Sequence, residues 1–130
     1  MQKEEYWENL VKRSLCRFFL LAELAKGPAH GYRINQGIQE ACGGCCGPTE
    51  AMVYSTLKEL MAGGYVACNT ETHGGRQRRV CSLTDAGFEA FRAAGRVWDK
   101  MLPQVRQTAK LALSQPQNLE LVGMTAGGER

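Results

Sequence analysis

A chain of 130 residues, 44% hydrophobic and 22% charged, has material for one hydrophobic core and an appended helix, with no room for a second catalytic domain. Sixteen Lys and Arg against 13 Asp and Glu leave a net charge of +3, which permits a nucleic-acid partner without demanding one. The polar start at Gln2, Lys3, Glu4 and Glu5, and the apolar run Leu15–Leu24 broken by Arg17 and Glu23, fit neither a secretory signal nor a spanning helix.

The expectation is therefore a cytoplasmic chain with no membrane partner, whose six cysteines normally stay reduced. From Glu5 to Lys26, Trp7, Leu10, Val11, Leu15, Phe18 and Ala22 recur at helical spacing, while Cys16, Phe19, Leu20 and Leu24 load a second face. One face meets the chain's own core and the other predicts a partner chain, hence a homodimer. Gly27-Pro28 stops this first helix.

A second helix is predicted over Gly31–Ala41, with Tyr32, Ile34 and Ile38 as its apolar contacts, ending at Gly43-Gly44. Thr49 is a good N-cap for a third, in which Val53, Leu57, Leu60 and Met61 form one stripe up to Gly63-Gly64. Its opposite face carries Glu50, Ala51, Tyr54, Ser55 and Lys58.

Tyr65–Glu71 and Arg78–Leu83 alternate as strands do, with His73, Gly74 and Gly75 between them. Centring the turn on Gly74-Gly75 sets Val66 opposite Leu83 and Cys68 opposite Cys81, all four on the face expected to be buried. Thr84 then caps a long helix whose apolar positions, Phe88, Phe91, Ala94, Trp98, Met101, Leu102 and Val105, keep helical spacing to about Leu113. Pro103 is expected to kink or split it. The Gln-, Pro-, Asn- and Gly-rich stretch 114–130 reads as a poorly ordered tail.

This order makes a mainly α fold with a small β-hairpin: a winged helix-turn-helix over 1–87 and a long C-terminal dimerisation helix over 88–113. In such a module the third helix enters the major groove of double-stranded DNA, and the hairpin reaches phosphates. Thr49, Glu50, Tyr54, Ser55 and Lys58 are then candidate DNA contacts from the helix, and His73, Arg76 and Arg78 from the wing. Each has a plainer alternative. Tyr54 as packing at a helix end, His30 and Tyr32 as fixtures of a helix junction, and the wing arginines as a solvated strand all remain open.

Three stretches resemble one family. His30-Gly31-Tyr32-Arg33-Ile34 is similar to the His-Gly-Tyr-Glu-Ile signature at the start of the second helix of PadR-like transcriptional regulators. Val53-Tyr54-Ser55-Thr56-Leu57, Leu60 and Gly64-Tyr65-Val66 resemble the family's Leu-Tyr-Pro-x-Leu, Leu and Gly-Leu-Ile pattern. The run Gly75 to Gly87 resembles its Gly-Arg-Pro-Arg-Lys-Tyr-Tyr-Arg-Leu-Thr-Glu-x-Gly wing. The resemblance spans Leu15–Gly87 and implies a dimeric repressor that leaves a palindromic operator when an effector binds. Ser55 stands where the pattern has proline, and Cys81 where it has tyrosine.

The cysteines are this chain's own feature. Cys16, among apolar residues, reads as a buried inert thiol. Cys68 and Cys81 read as two small core-facing residues that pair as a disulfide only if the local geometry suits it. Cys42, Cys45 and Cys46, in Cys-Gly-Gly-Cys-Cys-Gly, have spacing suited to a thiophilic metal or metalloid ion or an iron–sulfur cluster, but a closed zinc site needs a fourth ligand. A short strand between the second and third helices, paired with the wing, would bring Cys46 near Cys81 and gather up to five thiols.

The expected function is a repressor relieved by a soft metal, a metalloid or an oxidant at these thiols. Alternatives are an organic effector in the dimer interface, a thiol or metal-handling protein, and a winged helix that has lost DNA binding. No strand-helix order of the thioredoxin kind surrounds the C-x-x-C, and no His and Asp set stands ready to activate a nucleophile, so an enzyme is not expected.

Overall fold

In the computed structural model, which describes residues 1–43 and 48–116 with the side chain of His73 outside that description, the elements follow the predicted order. They are α1 (Glu4–Ala25), β1 (Ala29–His30), α2 (Gly31–Ala41), α3 (Glu50–Ala62), β2 (Val66–His73), β3 (Arg76–Leu83) and α4 (Asp85–Leu113). Met1–Gly95 forms one compact unit, and a second begins at Arg96 within α4.

The core of the first unit is built from helical stripes that match across α1, α2 and α3. Cys16, Leu20, Leu21 and Leu24 of α1 meet Ile34 and Ile38 of α2, Val53, Leu57 and Leu60 of α3, and Val66 and Cys81 of the sheet. Each large aliphatic side chain fully withdrawn from water contributes about 1.5–3 kcal/mol, so these stripes fix the helices' mutual orientation. Phe91 joins from the start of α4 and packs its ring against Phe18, with centroids 5.7 Å apart.

On α1 the buried residues all lie from Cys16 onward, while Tyr6, Trp7, Leu10 and Val11 are exposed. Its two kinds of apolar surface are thus divided along its length as much as around it. Glu23, the buried carboxylate of this helix, accepts from the Lys26 ammonium at 3.1 Å.

The sheet has the order β1-β3-β2, with both neighbouring pairs antiparallel. The β2–β3 register is the predicted one, Val66 opposite Leu83 and Cys68 opposite Cys81. Both strands run further than expected, because Gly74 and Gly75, with φ of +58° and +81°, complete the reversal in two residues. His73 is therefore a strand residue, paired with Arg76, and not part of a loop.

The third strand was not expected from the sequence. It lies between α1 and α2, and the residue it sets beside Cys81 on β3 is Ala29, with His30 beside Val80, while the segment between α2 and α3 expected to pair there falls on residues 44–47, outside the described residues. The chain leaving α1 at Gly27-Pro28 is already extended where it passes β3, so the open edge of the wing is filled there. Cys45 and Cys46 lie outside the described residues.

Thr84 caps α4 as predicted, its hydroxyl accepting from the Gly87 N–H at 3.1 Å and donating to the Gly64 carbonyl at 2.7 Å. Pro103 does not split the helix, which continues to Leu113. The missing N–H frees only the carbonyl of Asp99, an exposed residue whose backbone water can satisfy. The expected tail lies outside the described residues from position 117.

Candidate nucleic-acid interface

The 3.6-residue repeat sorts α3 into two faces. Val53, Thr56, Leu57 and Leu60 are buried, whereas Glu50, Ala51, Tyr54, Ser55 and Lys58 face solvent. Thr49 is exposed and extended, and its hydroxyl accepts from the Met52 N–H at 3.2 Å. Its oxygen thus has a structural task as the cap of α3, beside whatever it meets outside. Glu50 lies in the first turn, where its charge suits the positive end of the helix dipole.

The second wall is the start of α2. His30 is its N-cap, with Nδ1 accepting from the Arg33 N–H at 3.4 Å. Tyr32 is 71% exposed and stacks on the His30 ring at 6.5 Å. Gly31 has no side chain because Tyr54 occupies its place: a Cβ there would stand 3.1 Å from the Tyr54 hydroxyl oxygen and 3.2 Å from its Cε1. One edge of Tyr54 thus packs on α2, while 42% of the residue remains open.

The third wall is β3. Strand alternation places Arg76, Arg78 and Val80 on one face and Arg79 and Cys81 on the other. Arg79 turns toward α3 and donates to the Met61 sulfur at 3.2 Å. Arg76 and Arg78 are exposed, and none of the ion pairs among the described residues involves a wing arginine. Glu71 sits directly opposite Arg78 on β2.

The three walls enclose an open cleft of about 420 Å³ lined by His30, Gly31, Tyr32, Tyr54, Leu57, Arg78, Arg79 and Cys81. Arg78, Arg79, Tyr32 and Tyr54 line it together with the start of the 11-residue α2, residues whose donors suit an anionic oxygen. From the sequence, His30 and Tyr32 read mainly as fixtures of a helix junction. Their place in the cleft was hidden because it depends on β1 pairing with β3, a two-residue contact with no periodicity to detect.

Cys68 and Cys81 are joined in a disulfide. They are thus bonded to each other and do not stand as two free ligands. Cys42 is half-buried at the C-cap of α2, against the core. Cys16 is buried, with its sulfur 3.5 Å from the Thr56 hydroxyl, and burial pushes its thiol above the ordinary value of 9.0. Among the described residues, no group of three or more His, Cys, Asp and Glu is disposed to hold a metal ion. None of the described helices is long and apolar enough to cross a membrane.

The family model described as "Transcriptional regulator PadR-like family" matches residues 20–93, which take in α2, α3, the sheet and the start of α4. The chain belongs to the PadR-like family of transcriptional regulators. A protein of Streptomyces fradiae, described as an uncharacterized 37.1 kDa protein in a transposon, is 37% identical over 96 residues. That stretch is 68% of this PadR-like chain but only 26% of the relative, so the chain spans about a quarter of the curated relative it matches.

Among solved structures, Bacillus subtilis PadR in complex with operator DNA is 26% identical, with a TM-score of 0.54 over 59% of this chain and 44% of that one. A PadR family regulator from Eggerthella lenta, 20% identical, superposes with a TM-score of 0.68 over 85% of this chain and 93% of its own. A third, from Clostridium difficile, gives 18% identity and a TM-score of 0.65 over 73% and 98%. The last two show that this PadR-like chain has the winged-helix fold of the family.

Proposed function

We propose that this PadR-like chain is a homodimeric, sequence-specific DNA-binding repressor that acts in the cytoplasm on a palindromic double-stranded operator. α3 enters the major groove with Thr49 and Glu50 at its leading end and Tyr54, Ser55 and Lys58 toward the DNA. The wing lays His73, Arg76 and Arg78 along the backbone. The observation that carries this reading is the shared cleft, in which Tyr54 of α3 and the wing arginine Arg78 border one surface. A helix that reads bases needs a neighbouring cation to hold its register, and phosphate contacts provide that. The operator complex of Bacillus subtilis PadR supports the same partner.

Dimerisation is supported by apolar side chains that have no place in the core: Tyr6, Trp7, Leu10 and Val11 on α1, and Val97, Met101, Leu102 and Val105 on α4. In the domain terms of this proposal, 1–87 binds DNA and 88–113 joins the two chains. A twofold pair presents two α3 helices to half-sites one helical turn apart, about 34–36 Å.

The effector acts at cysteine thiols, through a soft metal, a metalloid or an oxidant that shifts operator affinity. Supporting this, Cys42 stands at the end of α2, before the segment that leads into α3, and the Cys68–Cys81 pair closes the base of the wing. Selection of bound duplexes from a randomised pool by the full-length protein tests the core of the proposal. A palindrome is expected to emerge, preferred over its scrambled form by about 10³-fold or more. A pool without enrichment, in low salt, overturns it.

A further inference from the structure

We propose that the Cys68–Cys81 pair is a thiol–disulfide exchange site that accepts a low-molecular-weight thiol at Cys68 and thereby sets the order of the wing. The inference rests on the reading of this chain as a thiol-responsive DNA-binding protein and names which thiols respond and in which direction.

Position is the first observation. Cys81 is where the three strands line up, opposite Ala29 of β1 on one side and Cys68 of β2 on the other. Beyond that point the ladder continues from the Asn69–Val80 pair to the His73–Arg76 pair, and β1 reaches only as far as Val80. From Asn69 to Arg79 every residue whose exposure is described faces solvent, so neither surface of this ribbon rests on a core. A two-stranded hairpin without a packed face is marginal in water. The covalent link at its base therefore does for the wing what packing does for the helices, and Arg76 and Arg78 lie on the part it orders.

Asymmetry is the second. Cys81 is 1% exposed, and Cys68 is half-buried. An incoming thiolate reaches the Cys68 sulfur, forms the new S–S bond there, and expels Cys81 as a thiolate that takes up a proton. A second small thiol then attacks the small molecule's own sulfur in the mixed disulfide and releases Cys68. Two small thiols leave as one disulfide, and their two electrons and two protons end on the pair. A small-molecule disulfide such as oxidised glutathione drives the reverse.

Location relative to the cleft is the third. Cys81 forms part of the wall shared by Tyr54, Arg78 and Arg79, so the bond lies behind the surface proposed to meet phosphates. In a reducing cytoplasm a disulfide is most often a transient, redox-sensing one, which fits a bond with one half-buried cysteine beside a fully buried one.

The test uses the full-length protein and the duplex enriched by selection. Operator affinity is measured by fluorescence anisotropy after oxidation with glutathione disulfide, after anaerobic reduction with dithiothreitol, and after reoxidation. The oxidised form is expected to bind about tenfold tighter than the reduced form, with the change reversible, because an unlinked wing must be ordered before its phosphate contacts form. Peptide mass spectrometry of protein held at limiting glutathione is expected to find the adduct on Cys68. The variant C42S/C45S/C46S should keep the whole redox response, and C68S/C81S should bind like reduced protein in every condition.

Equal affinity in both redox states, with specific binding intact, overturns this inference and leaves the DNA-binding reading standing. A response that survives in C68S/C81S but disappears in C42S/C45S/C46S overturns it in favour of the junction thiols. Absence of specific binding in either state refutes the reading on which it rests.

Discussion

Replacing Arg76 and Arg78 together by alanine separates a wing that holds DNA from a wing that is only solvated. Both side chains lie on one face of β3, both are exposed, and neither belongs to an ion pair among the described residues. Each is thus available to neutralise one phosphate, and a dimer carrying the double substitution loses about four such contacts. At about 0.9 counterions per phosphate, the slope of log affinity against log salt falls by about 3.6. Between roughly 50 and 200 mM salt this is a difference of about a hundredfold in salt sensitivity between wild type and variant. Thermal unfolding should change little, since exposed substitutions away from the core usually stay within about 0.5 kcal/mol. The assay is an anisotropy titration at four or five salt concentrations on one duplex. An unchanged slope with an intact fold would refute the assignment of the wing to phosphates. Glu71→Gln provides the opposite sign, because it removes the carboxylate facing Arg78 and should steepen the slope.

Gly31→Ala places a methyl group 3.1 Å from the Tyr54 hydroxyl oxygen, so the ring must give by a few tenths of an ångström; a several-fold loss of operator affinity with a nearly unchanged melting temperature is expected by titration and calorimetry. Thr49→Ala removes the cap of α3 and should cost about 1 kcal/mol in a denaturation series, with Thr49→Ser close to wild type. Cys16 should react with iodoacetamide far more slowly in the folded protein than in denaturant, because burial shields its sulfur and pushes its thiol pKa up; fast labelling at pH 8 would contradict its place in the core. The pair Trp7→Glu and Leu10→Glu puts charge on the exposed apolar stretch of α1, and sedimentation is expected to show a monomer for the variant and a dimer for the wild type.

The sequence disclosed those parts of the molecule in which local chemistry and global packing agree. Helical periodicity placed α1, α2 and α3 because Leu20, Ile34, Val53 and Leu57 are buried for the reason their spacing suggests. Gly74-Gly75 fixed the register, since two positive-φ residues leave a hairpin one alignment. Less legible was whatever depends on a single tertiary contact. Ala29-His30 carries no alternation that would mark it as a strand, yet its pairing with Val80 and Cys81 brings the start of α2 into the cleft. Pro103 is expected to kink or split α4, yet the helix runs through it, because the freed carbonyl belongs to the exposed Asp99. The disulfide lay between: the register put Cys68 opposite Cys81, but strand pairing alone does not say whether two facing sulfurs bond.

The proposed function requires two copies of α3 to meet one duplex. Hydroxyl-radical footprinting of the selected duplex by full-length protein is expected to show two protected patches, related by the palindrome's twofold axis and centred about one helical turn apart. Continuous protection along the duplex, or none at salt where the complex forms, would contradict it.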